Sequence, residues 1–337
     1  MMANKKGKKF RHTPYRPQIH KPELLPTVDT SFYDAATIET RAWKSAQIIL
    51  VGAGGIGAYV AQHVGRLMRV IYESERGVHL TICDPDIVEE KNIGRQLFCD
   101  AEVGLPKAEA LHRRYGHAWG LNVSHVVSEF DESLIIGAQM TVLVGCVDNA
   151  AARRKLDEAL SANNDSSLQF WWLDCSNARD VGRVLLGNAP AYDDLRGAFP
   201  AKERCVALPS PALQFPDLLT PRPEELDGSN LSCAELAARG EQSLHVNARV
   251  AVEGAITLTQ LLVTGDLKSF QTEINTSARS MRSTYVTPQE VARVIAGCLN
   301  LSVNERSESN RCQQQQLQPN RPPQCSRQTR LVRCRQM

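Results

Sequence analysis

The chain has no CxxC pair, no long apolar run and no acidic residue in its first 22 positions. Each absence excludes something. Ten cysteines scattered over 337 residues without paired spacing supply neither the ligands of a Cys₄ site nor a disulfide framework. We therefore expect reduced thiols, a cytoplasmic location and no structural zinc. The most apolar stretch, Ile48 to Val64, is broken by Gly52, Gly54, Gly55, Gly57, Gln62 and His63. It falls well short of the ~20 clean apolar residues of a membrane span. No apolar segment follows the basic start, so no secretory signal is read. No internal repeat is visible.

Hydrophobic residues make up 42% and charged residues 23%, the balance of a globular protein. The net charge of +2 conceals an uneven distribution: +7 over residues 1–22, +5 over residues 300–337, and −10 between them. Basic ends on an acidic body could touch nucleic acid or an acidic protein, although solvated tails are the simpler reading. We expect a basic disordered arm over 1–30, rich in proline, and a disordered tail over 300–337 containing Gln313 to Gln316.

Between the tails, strand and helix patterns alternate. Gln47–Val51 reads as a strand, followed by a glycine turn and a helix to about Tyr72. Val78–Cys83 is a strand, Pro106–Trp119 a helix, and Asn122–Val127 and Met140–Val147 are strands. Asn149–Ala162 is a helix, and Phe170–Cys175 and Gly182–Leu186 are strands. Seven prolines between Ala189 and Glu224 indicate a crossover loop over about 189–229. Ser232 and Glu235 form an S-x-x-E capping box for a helix reaching about Leu262. Phe270 to Val286 reads as a strand pair and Pro288–Leu299 as a last helix. The pattern predicts an α/β fold, a Rossmann-like, mostly parallel sheet with helices on both faces. One domain would span 31–299, with a nucleotide-binding half over about 45–165 and a C-terminal helical part over 231–299. Adjacent Trp171 and Trp172 point to opposite faces, one into the core and the other toward a protein-binding surface.

The strongest local motif is Gly52-Ala53-Gly54-Gly55-Ile56-Gly57, placed where a strand gives way to a helix. Glycines let the backbone approach phosphates, and the helix N-terminus presents free N–H groups. Asp84 ends the next strand, where a ribose would be held. The stretch from Asp84 to Gln96 then discriminates among nucleotides. A nicotinamide enzyme has no need of Asn92 and Arg95 beyond its ribose acid, whereas a triphosphate does. Arg95 offers a planar donor fork, Lys107 a second charge, and Asp148 a carboxylate for Mg²⁺. The competing readings are an NAD-dependent Rossmann oxidoreductase and a non-catalytic nucleotide-binding scaffold.

These blocks resemble the ThiF/MoeB/HesA family, relatives of ubiquitin-activating enzymes. The family pattern is GxGGxG, then D-x-D-x-V-x-x-x-N-x-x-R-Q, then G-x-x-K, then D-N. Here it reads Gly52–Gly57, Asp84 through Gln96, Gly104 to Lys107, and Asp148-Asn149. The resemblance covers about 45–300, and the segment around Ala234–Asn247 looks most like the ThiF-family proteins of PRTRC gene systems. It implies a ThiF/MoeB-type adenylation domain using ATP and Mg²⁺ on a ubiquitin-like or sulfur-carrier-like protein with a Gly-Gly C-terminus. By that resemblance Gly52, Gly54, Gly55 and Gly57 cradle phosphates and Asp84 binds ribose. Asn92, Arg95 and Lys107 clamp phosphates, and Asp148 holds Mg²⁺. Two features depart from the pattern. The zinc-binding CxxC pairs of many relatives are missing. So is the R-x-x-R-Q arm that reaches across a dimer, since only Arg41 lies in that region, which leaves a homodimer open. Cys233, beside the capping Ser232, matches where some relatives place an acceptor thiol, and Cys205 is a weaker candidate.

Overall fold

A computed structural model describes residues 30–163, 165, 167–222, 225 and 245–296. The basic arm, the C-terminal tail, the Ser232–Glu235 helix start and Cys233 lie outside the described residues. In chain order the elements are α1 (Ser31–Asp34), β1 (Thr37–Ile38), β2 (Ser45–Val51), α2 (Gly55–Glu73), β3 (Gly77–Cys83), α3 (Lys107–His112), β4 (Val123–Val126), β5 (Met140–Gly145) and α4 (Ala150–Ala162). They continue with β6 (Gln169–Asn177), β7 (Val181–Gly187), β8 (Arg204–Cys205), α5 (Pro211–Gln214), α6 (Val246–Thr259), β9 (Ser269–Asn275), β10 (Ser280–Tyr285) and a helix α7 over 288–296.

Eight strands form one sheet in the order β10-β9-β7-β6-β5-β2-β3-β4. Strands β6, β5, β2, β3 and β4 run parallel, while β7, β9 and β10 add on antiparallel. This is the mostly parallel Rossmann-like sheet that the sequence predicts. The chain leaves β2 to build β3 and β4 on one side, then returns to build β5 and β6 on the other. The strand order therefore reverses beside β2, and in open α/β sheets ligands bind at the carboxyl ends of strands next to such a reversal.

Strands covered on both faces carry nearly continuous apolar runs, and here alternate side chains feed two cores. Ile48 and Leu50 of β2, Val142 and Val144 of β5, and Trp171 and Leu173 of β6 join α2 and α6 in one cluster. Ile49, Val51, Leu143, Phe170 and Trp172 join Leu156, Ala159 and Leu160 of α4 in the other. The expectation that one of the paired tryptophans lines a surface is thus corrected. Both are buried, one in each core, because helices cover both sides of β6.

Polar residues inside the sheet are satisfied locally. Buried Gln47 donates Nε2 to the Leu134 carbonyl at 2.7 Å and accepts from the Ile136 N–H at 3.0 Å. Asn149 starts α4 as its N-cap, its Oδ1 accepting from the Ala152 N–H at 2.8 Å. The helix expected over Pro106–Trp119 is shorter and composite: α3 ends at His112, and a π-helical turn takes Arg113–His117. The helix expected to reach Leu262 passes from α6 into a π turn over Gln260–Thr264, stopped by Gly265 at φ 65°. The proline-rich crossover is ordered over its described part, with Asn188 bonding the Leu208 N–H and the Val206 carbonyl.

Three imidazoles cluster at the π turn. His112 lies 4.7 Å from His117 and 4.6 Å from His125 of β4, centroid to centroid. Burial lowers the His112 pKa below its ordinary 6.5, and the neighbouring His125 and His117 lower it further. A depressed folded pKa favours the neutral ring, so its contribution is complete above pH 6.5 and is lost as pH falls toward the folded value. We predict that urea midpoints between pH 7.5 and 5 fall less steeply in His112→Gln than in the wild type. Parallel profiles for the two proteins would contradict this.

Candidate active site

The glycine turn sits at the carboxyl end of β2, between β3 and β5, and is held from three sides. The Gly52 N–H donates to the Cys83 carbonyl at 2.9 Å, and the Cys146 N–H donates to the Val51 carbonyl at 2.8 Å. Asp84 closes the third side. Its Oδ2 accepts from the Ala53 N–H at 2.6 Å and its Oδ1 from the Asp86 N–H at 2.8 Å. Burial raises the Asp84 pKa, and Lys107 and the two backbone donors partly offset that rise.

Two glycines are dictated by space. Gly52 adopts φ 90°, where a side chain is strained, and a methyl there would stand 2.6 Å from the Cys146 carbonyl oxygen. A methyl on Gly57 would fall 1.8 Å from the Gly52 carbonyl oxygen. This packing drives the first turn of α2 against the strand end and leaves the N–H groups of that turn pointing outward, an anion site by geometry and dipole. Gly54 is the N-cap of α2 and faces the Gln96 side chain, while Gly55 packs against Asn247.

The Asp84–Gln96 stretch folds over this turn. Asn92 is buried, and its Oδ1 accepts from the Glu89 N–H at 2.9 Å. It caps a short 3₁₀ turn, which leaves its oxygen engaged by the chain itself. Arg95, half-buried, donates Nη2 to the Lys91 carbonyl at 3.0 Å. The sequence reading quotes Gln96 in its motif but gives it no role. It lies across the turn, its Nε2 3.9 Å from where a Cβ on Gly54 would be. Its Oε1 is buried with no hydrogen-bond partner among the described residues.

Lys107 departs from expectation. A phosphate clamp or a solvated helix-start lysine should face water, yet its side chain is 8% exposed. Its Nζ lies 2.7 Å from Asp86 Oδ2. The cause is a backbone contact across 21 positions: the Lys107 N–H donates to the Asp86 carbonyl at 2.9 Å and draws the two residues together. Contacts thus run from Lys107 through Asp86 and Asp84 to the glycine turn.

Asp148 is exposed in the turn between β5 and α4. Arg153, buried on α4, fixes that turn. Its Nη2 donates to the Val147 carbonyl at 2.5 Å and its Nε to Asp174 Oδ2 of β6 at 3.1 Å. Among the described residues no group of three or more His, Cys, Asp or Glu could hold a metal ion. A single exposed carboxylate suits Mg²⁺, which keeps waters and takes substrate phosphates as further ligands.

Burial disfavours the thiolate at two described cysteines, Cys146 and Cys205. Burial pushes the Cys146 thiol up, and its bond with the Cys175 thiol pushes it further. Burial takes Cys205 up to about 11, and its Sγ donates to the Ala207 carbonyl at 3.3 Å. The reading of Cys205 as an acceptor is thereby corrected: a buried thiol of raised pKa is a poor nucleophile.

Residues 29–169 match the family described as the ThiF family. Over 122 residues the chain is 34% identical to the SAMP-activating enzyme E1 of Haloferax volcanii, a match covering 34% of this chain and 41% of that protein. Over 126 residues it is 34% identical to the molybdopterin-synthase adenylyltransferase of Salmonella typhimurium, covering 34% and 45%. Both matches span less than half of the relative. Among solved structures, E. coli MccB with AMPCPP and MccA aligns at TM-score 0.44 and 16% identity, over 72% of this chain and 65% of that one. That likeness is too remote to bear on individual residues. The 29–169 match contains the glycine turn, Asp84, Arg95, Lys107 and Asp148, and the geometry above gathers most of them at one sheet edge.

Breaking a buried ion pair from one side leaves an uncompensated charge, at a cost of about 3–5 kcal/mol. Arg153→Ala, which strands Asp174, should lose that much in chemical denaturation. An Arg153→Met/Asp174→Leu double variant should recover most of it. A single-variant loss below ~1 kcal/mol would contradict the role given to this pair.

Proposed function

We propose that the chain is an ATP-dependent adenylyltransferase that activates the C-terminal carboxylate of a ubiquitin-like or sulfur-carrier-like protein. The observation that carries this reading is the join at one sheet edge. A helix N-terminus is tied to a ribose-type acid, with the N-x-x-R-Q turn laid over it through Gln96. The relatives matched over this segment are named as an activating enzyme and an adenylyltransferase.

In the reaction a carboxylate oxygen attacks the α-phosphorus of ATP. The bond to the β-phosphate bridging oxygen breaks, pyrophosphate departs with that electron pair, and an acyl-adenylate remains. The nucleophile arrives already ionised, so no general base is needed. The protein contributes positioning and preorganised charge. N–H groups of the first turn of α2 face the phosphates, and Asp84 keeps lone pairs for a ribose hydroxyl. Arg95 supplies a planar fork, and Asn92 adds a neutral donor. Lys107 reaches the phosphates by sharing or leaving Asp86. Asp148 would hold Mg²⁺, which neutralises phosphate charge when bound.

On the same reading the carrier ends in Gly-Gly, the protein acts in the cytoplasm, a homodimer is compatible, and the affinity lies with PRTRC-system ThiF proteins. Cys233 is the proposed acceptor if the acyl group passes to a thiol.

Binding at 100 times the dissociation constant adds about 2.7 kcal/mol to stability. ATP with Mg²⁺ should therefore raise the melting temperature, and NAD should not; the reverse result would sink the adenylation reading. In pyrophosphate exchange driven by a Gly-Gly-terminated peptide, removing one preorganised donor should cost ~10²–10³ in turnover. Arg95→Ala, Arg95→Lys and Asp148→Asn should each show losses of that order with melting curves unchanged. Near-wild-type exchange in these variants would make both residues ordinary surface charges.

A further inference from the structure

Two asparagines meet beside the glycine turn, one from the end of β6 and one from the start of α6. Asn177 Nδ2 donates to Asn247 Oδ1 at 2.5 Å, joining residues 70 positions apart. Asn247 is only 5% exposed. It packs on the first residue of α2: a methyl on Gly55 would stand 2.6 Å from its Nδ2. Asn247 Nδ2 and Asn177 Oδ1 have no hydrogen-bond partner among the described residues.

After this one bond Asn247 keeps both Nδ2 hydrogens, while Asn177 keeps one N–H and its whole carbonyl oxygen. Here the spare donor is the Asn247 N–H and the spare acceptor is the Asn177 carbonyl. That combination does not suit a phosphate, whose oxygens the Asn177 carbonyl would repel. It does suit a peptide group, which offers a carbonyl and an N–H in complementary order. A carrier tail attacking a phosphate held at the N-terminus of α2 must end beside Gly55, where this pair lies.

We propose that Asn177 and Asn247 form the subsite that grips the last peptide groups of the carrier tail and points its carboxylate at the α-phosphate. The proposal rests on the adenylation reading above, but its binding chemistry is separable from turnover.

The test uses the full chain and a fluorescein-labelled synthetic hexapeptide ending in Gly-Gly, with a non-hydrolysable ATP analogue present. Affinity for the peptide should drop about tenfold in Asn247→Ala and in the near-isosteric Asn247→Asp. Analogue affinity should not change. A depsipeptide whose final amide N–H is replaced by an ester oxygen leaves the protein untouched. It should bind the wild type more weakly but Asn177→Ala no worse than the parent peptide does. Wild-type protein that ignores the peptide, variants that bind it normally, or variants that lose the analogue in equal measure would each overturn the subsite. Peptide binding without pyrophosphate exchange would uphold the subsite and overturn adenylation. Exchange with an unchanged peptide KM in Asn247→Ala would do the opposite.

Discussion

The Asp84 carboxylate is the contact on which the site depends. It leaves the end of β3 and spends one oxygen on the glycine turn after β2 and the other on its own next turn. Three stretches of chain are thereby fixed with respect to one another: the start of α2, the 84–96 segment and, through Asp86, Lys107. Burial opposes ionisation of this group, so the arrangement needs the nearby lysine and backbone donors to stay charged. The glycines are a consequence of the same closeness. With Gly57 pressed on the Gly52 carbonyl and Gly52 on the Cys146 carbonyl, no side chain fits between the strand ends, and the helix dipole is delivered at the sheet edge.

The sheet supplies the rigidity this requires. Strands β2 and β5 are buried on both faces, with side chains alternating between two cores. The site is therefore built on inflexible elements, while its polar groups reside in the turns that follow them. Arg153 extends the scheme to the second half of the edge, binding the turn that carries Asp148 to Asp174 on β6. The turns that carry Gly52 and Asp148 thus share a single frame.

What was legible in the sequence was what short-range chemistry determines. The strand–glycine–helix junction, the β-branched β5 strand, the helix following Asn149 and the β9–β10 pair lie where local pattern places them. The glycine turn, Asp84, Asn92, Arg95, Lys107 and Asp148 were singled out together by motif spacing, which survives without a structure; the roles given to them remain a proposal. What escaped depended on contacts distant in sequence. Trp171 and Trp172 cannot be assigned to two cores without knowing that helices cover both faces of β6. The burial of Lys107 comes from a backbone bond to Asp86 across 21 positions. Gln96 carried a signal, since it closes the motif. The Asn177–Asn247 bond carried none, because no local pattern links the end of a strand to a helix 70 residues later.

The central claim is that a carboxylate oxygen attacks the α-phosphate at the start of α2. The most direct measurement follows that oxygen. A Gly-Gly-terminated peptide bearing ¹⁸O in its terminal carboxylate is turned over with ATP and Mg²⁺, with hydroxylamine present to accept the acyl group. Release of AMP carrying one ¹⁸O, with unlabelled pyrophosphate, is the predicted result. Formation of ADP with labelled phosphate would contradict the account, because it would place the attack on the γ-phosphate.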